Sequence, residues 1–589
     1  MSIIKQFDKR SGITYVYESV SYWDKEKKQP RSKRTLIGRY DPKTGETVPT
    51  DGRGKRRRQK QGCTPQTERN DQPCVALANV PVQADTNSLG EVQTTQATIQ
   101  DPCPEKCLAS AASSASAVPA SQAERLFFGA TYLLDQIGKT TGVEADLKAC
   151  FPETYKQILS LAYYLILEDR NPLLRFRKWG KLHRHPYGRD IPSQRSTDVF
   201  QSITEESKMR FFRLQSKRRA EKEYWAYDST SISSTSRLLK QVRYGKNKDG
   251  DGLAQINIAL LFGEESGLPF YYRKIAGNVP DVKTLRELLR ELDVLGCEKI
   301  KLVMDRGFYS AENINALYKE HLKFLCGTST ALKYAKEFIR EIGAAKDHYE
   351  HYDSSLELYT FTKTIAWDYE QLRPYKGDVV KQDRRMYLHL YFDPDRQAED
   401  GKAFNRKMDT LKEELLSGHR VPEHEKDYHK YFEIRETPRR GISLTYKQEA
   451  IDAAHERYGF FALISNEVKD PVSALQLYKM RDVVEKAFWD VKERLNMKRT
   501  LTSSESSLEG KLFVEFVALI YISYIKKKME EEGLFAKYTM HELLDELDVI
   551  ECFRAQGNAF IQGEVLKKQE LLYQKLGVKP LLADPERAL

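Results

Sequence analysis

The sequence predicts a mixed α/β fold built on one sheet, with helices on both flanks. Three observations predict it. Between residues 223 and 330, strand-like apolar runs alternate with amphipathic stretches. Helical periodicity dominates the segments before and after that region. The chain has 589 residues, 40% of them hydrophobic and 31% charged, which is enough for about four globular domains without disulfide or metal staples.

Residues 1–52 read as a small β unit. Ile13, Tyr15 and Tyr17 are spaced by two, and alternation resumes from Arg34 to Tyr40. Asp41-Pro42-Lys43-Thr44-Gly45 is a turn cluster. The bases of this unit suit contact with a phosphate backbone, or the unit is simply a small sheet. Residues 53–121 offer little to bury and predict a flexible linker rich in Gln, Thr, Ser, Pro and Ala. It opens with Arg53, Lys55, Arg56, Arg57, Arg58 and Lys60, a block that attracts polyanions without reading sequence. Lysine plus arginine total 95 against 85 acids, so this local clustering says more than the net charge of +10. Cys63, Cys74, Cys103 and Cys107 also fall in the linker, but only the last two are close, unlike the paired knuckles of a zinc site. Eight cysteines in all fit a reducing cytoplasm, and the N-terminus lacks the pattern of a secretory signal.

Residues 122–220 read as a helical domain. Leu126, Phe127, Ala130, Leu133, Leu134 and Ile137 recur near the helical period, as do Ile158, Leu161, Ala162, Leu165 and Ile166. Arg175, Arg177, Lys178, Lys181, His183, Arg184 and His185 are interleaved with Phe176, Trp179 and Tyr187, a mixture that suits a nucleic-acid surface. Residues 221–330 then give strand-like runs at 224–228, 253–262 and 270–275, a helix at 281–295, a strand at 299–304, a helix at 311–319 and a strand at 322–326. That order is the order of an RNase H-like sheet. Residues 331–456 mix short alternating runs with one charged helix near 406–416 and predict a β-rich insertion. Residues 457–530 resume the core with a strand at 460–464 and a long helix at 471–495, and 531–589 are helical. The apolar run Leu512 to Ile525 contains Glu515 and is shorter than the roughly 20 residues that span a bilayer, so it predicts a buried helix.

Asp228 and Asp305 each close an apolar run and precede a polar turn. Acids at strand ends emerge from the core while the strand holds them, which suits a metal ligand, although turn caps use the same position. On the helix at 471–495, Tyr478, Arg481, Glu485, Trp489 and Lys492 are spaced 3, 4, 4 and 3, forming one polar stripe. Val484, Phe488, Val491 and Leu495 form the apolar stripe beside it. An ion pair of Arg481 with Glu485 is the plainer reading of that spacing.

Tyr478, Arg481, Glu485 and Lys492, separated by two, three and six residues, resemble the Y-R-E-K pattern of bacterial insertion-sequence transposases of the insertion-sequence-four type, in its long-chain branch. WAYDSTSISS around Asp228 and KLVMDRGFYS around Asp305 are similar to that family's two aspartate blocks. Gly277-Asn278-Val279-Pro280-Asp281 resembles the short G-N-x-x-D block between them. The resemblance spans about residues 220 to 530.

It implies an RNase H-like catalytic core interrupted by an insertion. It also implies a DDE transposase that binds double-stranded element ends, cuts them and joins the freed 3′-hydroxyls to target DNA as a homodimer. Asp228, Asp305 and Glu485 would be the catalytic carboxylates and the ligands of Mg²⁺, with Mn²⁺ able to substitute. Three carboxylates suit such hard cations, and a pair about 4 Å apart activates the attacking oxygen and stabilises the leaving one. Tyr478, Arg481 and Lys492 would hold the DNA end, with the cations on phosphates. Trp489 would face the same way and stack on a displaced base, or else be a core tryptophan. The resemblance places such a protein in the bacterial cytoplasm, at the nucleoid when DNA-bound, with no membrane partner. Two rivals remain: a transposase-derived DNA-binding protein without catalysis, and a carboxylate-pair hydrolase such as a glycosidase, which leaves the basic stripe unexplained.

Overall fold

The computed structural model describes the backbone of residues 2–8, 13–24, 29–40 and 47–49. It also describes residues 123–581 apart from 169–170, 219–222, 296–299, 373–377, 438–440, 501, 503 and 556–558. The basic block at 53–60, the rest of the expected linker with its four cysteines, and residues 582–589 lie outside the described residues. The chain divides into two units, residues 1–111 and 112–589. In the first, β1 (Ser2–Asp8), β2 (Ile13–Asp24), β3 (Gln29–Tyr40) and β4 (Thr47–Pro49) pair antiparallel in sequence order. The alternation at Ile13, Tyr15 and Tyr17 lies in β2.

The second unit opens with β5 (Ala123–Phe127) and six helices: α1 (Gly129–Thr141), α2 (Val143–Cys150), α3 (Tyr155–Leu167), α4 (Phe176–Leu182), α5 (Ser193–Ser202) and α6 (Glu205–Lys217). The apolar positions of α1 and α3 are buried, as their period requires. The basic–aromatic cluster resolves differently from its sequence reading. Phe176, Trp179, His183 and His185 are buried, with His183 stacked on Trp179 at 4.6 Å and bonded to Asp548 at 2.9 Å. Phe176, Trp179 and His183 sit three or four apart and form the inner face of α4 and its exit, and His185 follows two residues later. Arg175, Arg177, Lys178 and Lys181 stay outside. Phe176 and Trp179 therefore build core, Tyr187 is half-buried at its edge, and those four cations face solvent.

The central sheet follows: β6 (Tyr224–Ser234), β7 (Gln255–Gly263), β8 (Pro269–Ala276), α7 (Asp281–Leu295), β9 (Lys301–Met304), α8 (Ala311–Lys319) and β10 (Lys323–Thr328). Strands β6, β7 and β8 are antiparallel neighbours, and β9 lies parallel between β6 and β10. β6 is buried along almost its whole length and continues six residues beyond Asp228. Its second half is polar, yet it stays inside because the loop 245–253 supplies partners. Asn247 Nδ2 donates to Ser233 Oγ (3.1 Å), and the Lys248 amide donates to Ser231 Oγ (3.3 Å). Gly245 and Gly277 let this loop lie against the end of β8, since a Cβ on Gly245 would meet Gly277 O at 2.0 Å.

Beyond β10 come α9 (Lys333–Ile342), β11 (Tyr352–Asp353), β12 (Leu358–Leu372), β13 (Val379–Phe392), α10 (Pro394–Ser417), α11 (Glu425–Tyr431), β14 (Phe432–Thr437), β15 (Gly441–Tyr446) and α12 (Gln448–His455). This segment is mixed rather than β-rich. Met408, Leu411 and Leu415 are spaced for a helix and seat α10. Its longest strands extend the central sheet instead of forming a separate one. β16 (Phe460–Ser465) pairs antiparallel with both β10 and β13, giving the order β11-β12-β13-β16-β10-β9-β6-β7-β8.

The chain closes with α13 (Pro471–Lys479), α14 (Asp482–Trp489), a π-helical turn at Asp490–Arg494, β17 (Arg499–Thr500) beside β6, and α15 (Glu505–Glu531). The run Leu512 to Ile525 lies within α15 and is buried except for Tyr524, which is half-buried. After α16 (Met540–Asp548), β18 (Glu551–Ala555) pairs with β5 and with β19 (Ile561–Gln562), and α17 (Lys567–Lys575) follows. Among the described residues, no helix is long and apolar enough to cross a membrane.

Candidate active site

The register of β6 against β9 brings the two aspartates together. Tyr227 pairs with Met304 on adjacent parallel strands, so Asp228 and Asp305 are the residues that follow this pair. Asp228 is not at a strand end, as its sequence suggested. It sits mid-strand opposite Leu260, at the point where its other neighbour, β9, has ended. Asp305 does follow the last residue of its strand, and its side chain does not cap the short turn after it.

The third acid arrives on the tandem helices. The expected continuous helix at 471–495 is broken. Arg481 N–H bonds Tyr478 O, Val483 N–H bonds Met480 O, and Val484 N–H bonds Arg481 O, all tight i→i−3 contacts. The path then widens into the π-turn at 490–494. Ala474 and Leu475 anchor α13 in a small core with Val303, Leu325 and Leu463, while Val484, Ala487 and Phe488 anchor α14 in the main core. The tightened junction points Tyr478 and Arg481 at the aspartates and leaves Glu485 at the rim.

Arg481 is the hub. Its Nη1 lies 3.3 Å from Asp228 Oδ2, and its Nη2 lies 2.9 Å from Glu485 Oε1 and 4.0 Å from Asp305 Oδ1. The Tyr478 hydroxyl donates to Asp305 Oδ1 at 2.8 Å, and the guanidinium carbon sits 5.2 Å from the Tyr478 ring centre. The Arg481 side chain is 14% exposed, that of Asp228 12% and that of Glu485 53%. Burial pushes the Asp228 carboxyl up to about 6, against the pull of Lys248, the Ser229 amide and Arg481. Burial also opposes ionisation at Asp305, but the Tyr478 hydroxyl and Arg481 outweigh it and hold its carboxyl below the usual range.

The rest of the stripe does not join this cluster. Lys492 Nζ pairs with Asp249 Oδ1 at 2.6 Å, both side chains being mostly buried. Trp489 is 49% exposed, so it is no core tryptophan. Its ring lies 5.4 Å from Lys526 Nζ and 5.9 Å from the Arg494 guanidinium, away from the carboxylates. Both stripe cations expected on phosphates thus lie against acids of the chain itself.

Sequence reading gave no site role to three contributors, although Asp281 closes the motif at 277–281. Lys248 Nζ donates to Ser229 O at 2.6 Å and lies 3.3 Å from Asp281 Oδ2 and 3.9 Å from Asp228 Oδ1. Asp281 accepts a hydrogen bond from the Ser229 hydroxyl. Asp249 holds Lys492. The signal for Lys248 and Asp249 was the run Gly245-Lys246-Asn247-Lys248-Asp249-Gly250-Asp251-Gly252, where glycines and charges alternate too densely for a passive loop.

The chemistry of the donor set suits a hard divalent cation: three carboxylates from three chain segments converge on one cationic group. Their spacing is that of a guanidinium pocket. Among the described residues, no three His, Cys, Asp or Glu side chains are close enough together to hold a metal as they stand.

A family model described as the transposase DDE domain matches residues 219–521, more than half of the chain. Among solved structures, the cryo-EM structure of a piggyBac transposase synaptic complex with hairpin DNA is similar over 70% of this chain and 70% of that chain, at 11% identity and a TM-score of 0.31. No curated protein matches the chain.

Proposed function

The chain belongs to the transposase DDE domain family, and from that premise we propose that it binds the ends of an insertion sequence, cleaves them by metal-dependent phosphodiester hydrolysis and joins the 3′ ends to target DNA. The order β8-β7-β6-β9-β10, three antiparallel strands followed by two parallel crossovers, reads as an RNase H-like core. The observation that carries the proposal is the convergence of Asp228, Asp305 and Glu485 on Arg481 from β6, the end of β9 and α14.

Each side chain has a distinct part. Asp228 is the rigid ligand, fixed mid-strand and bracketed by Lys248 and Arg481. Asp305 is aimed by the Tyr478 hydroxyl. Glu485 stands on a helix at the rim and is the ligand with most freedom to adjust. Mg²⁺ or Mn²⁺ held by these three would supply Lewis-acid activation of water or a 3′-hydroxyl and stabilise the leaving oxygen. Arg481 and Lys492 would turn to the phosphates of the DNA end, and the exposed indole of Trp489 is available to a displaced base. Two copies of the chain acting on two ends complete the reading.

The test is cleavage and joining of DNA carrying the sequences that flank the reading frame, in Mg²⁺ and in Mn²⁺. Asp228→Asn, Asp305→Asn and Glu485→Gln should each abolish cleavage and keep DNA binding. End binding without cleavage in either metal would instead mark a transposase-derived DNA-binding protein. Glycoside hydrolysis without metal would mark a carboxylate-pair hydrolase.

A further inference from the structure

Arg481 touches the same three oxygen-bearing groups that the proposed function assigns to metal. A guanidinium holds carboxylates at hydrogen-bond or ion-pair distance, here 2.9 Å for Glu485, 3.3 Å for Asp228 and 4.0 Å for Asp305 from its nitrogens. Mg²⁺ requires oxygens at about 2.1 Å, so ligands gathered around Arg481 are too far apart to close on a cation while it stays. Two positive charges at one carboxylate cluster also repel each other, strongly so where burial limits screening. Arg481 and a metal at this site therefore compete.

Arg481 is also poised to leave. Its Nε is buried without a hydrogen-bond partner, so its present seat leaves one of its donors unsatisfied. It stands at the tightened junction between α13 and α14, beside the half-exposed Glu485 and over the ring of Tyr478. A DNA phosphate can take a guanidinium bidentately, a geometry in which none of the three carboxylates holds Arg481 here.

We propose that Arg481 is a tethered counter-ion that couples DNA binding to metal binding: a phosphate draws it off Asp228, Asp305 and Glu485, and the freed carboxylates then bind the metal. The coupling is reciprocal, as binding linkage requires. This inference rests on the reading of the three acids as metal ligands.

Calorimetric titration with Mn²⁺ tests it, using the full chain, Arg481→Ala and Arg481→Gln, each alone and with a short duplex DNA. The heat of Mn²⁺ binding to DNA alone is subtracted, and thermal melts confirm that each variant is folded. The unmodified chain should bind Mn²⁺ about tenfold more tightly with DNA than without, a gain typical of coupled sites. Both variants should show that gain already without DNA, and DNA should add little more. Equal Mn²⁺ affinity in the unmodified chain and the variants would overturn the competition. Weaker binding in the variants would overturn it too, because Arg481 would then organise the ligands. A control carrying Asp228→Asn and Glu485→Gln separates the two levels. Unchanged Mn²⁺ binding in that control, or no Mn²⁺ binding by any of the proteins, would overturn the metal reading of the triad and the coupling with it.

Discussion

Asp228 and Asp305 lie side by side but are held in different ways. Asp228 is fixed mid-strand by its pairing with β7 and is mostly buried, which raises its carboxyl to about 6. Asp305 has left its strand, is more open, and is held low chiefly by the Tyr478 hydroxyl and Arg481 against the cost of burial. That position makes Asp305 the better place to change ligand hardness. Asp305→Cys should abolish end cleavage in Mg²⁺ and regain part of it in Mn²⁺, because a thiolate is a soft donor that Mg²⁺ binds poorly. Cys326 Sγ lies 3.6 Å from Asp305 O, so the assay needs a reductant to keep the two thiols apart. Near-normal cleavage by the variant in both metals would remove Asp305 from the catalytic set. The sequence marks Asp305 clearly, since the run KIKLVM ends where β9 ends. It misplaces Asp228 within its strand, because small hydroxyl residues that read as a turn are paired by the loop 245–253 and carry the strand onward.

At the scale of elements, the stripe on 471–495 is legible as a helical face, but its junction is not. A shift from i→i−4 to i→i−3 bonding at Met480 and Arg481 leaves no mark in side-chain spacing. The long helix α15 is legible from its apolar run, and so is its anomaly. Glu515 is buried there, with Lys511 Nζ 3.6 Å from its Oε1 and no hydrogen bond to either oxygen. Burial pushes its carboxyl up to about 7 from an ordinary value of 4.5, against the pull of Lys511. Between those two values the folded chain keeps a proton that the unfolded chain has released. Raising the pH through that window therefore favours unfolding, and above it the loss stays constant. Glu515→Gln cannot ionise and should escape this loss. The unfolding free energy of the variant should gain on that of the unmodified chain as pH rises from 4.5 to about 7, by up to about 3 kcal/mol. Denaturant melts at a series of pH values measure the difference, in which the titrations shared by both proteins cancel. Parallel curves would show that Glu515 does not change its charge in this window.

At the scale of the whole molecule, the three antiparallel strands and two crossovers between 224 and 328 are legible because each strand contains a local apolar run. The extension of the same sheet by β12 and β13 is not, because pairing through β16 joins segments far apart in sequence. Charge shows the same division. Composition announces a basic cluster at 175–187, and folding turns Phe176 and Trp179 inward while Arg175, Arg177, Lys178 and Lys181 stay on the surface. Cations without exposed aromatic partners hold a polyanion but do not read its bases. The same physics governs Arg56, Arg57 and Arg58, whose neighbours in sequence are glycine, glutamine and further bases. Replacing these three with Ala should weaken binding to unrelated duplexes about equally. It should also flatten the dependence of log K on log salt concentration by about 2 to 3, since each phosphate contact contributes about 0.9 to that slope. Titrations of two duplexes of unrelated sequence, each across a range of salt concentrations, give both quantities. If affinity fell for one duplex and not the other at unchanged salt slope, the three arginines would be reading bases, and end recognition would have to be assigned to this block.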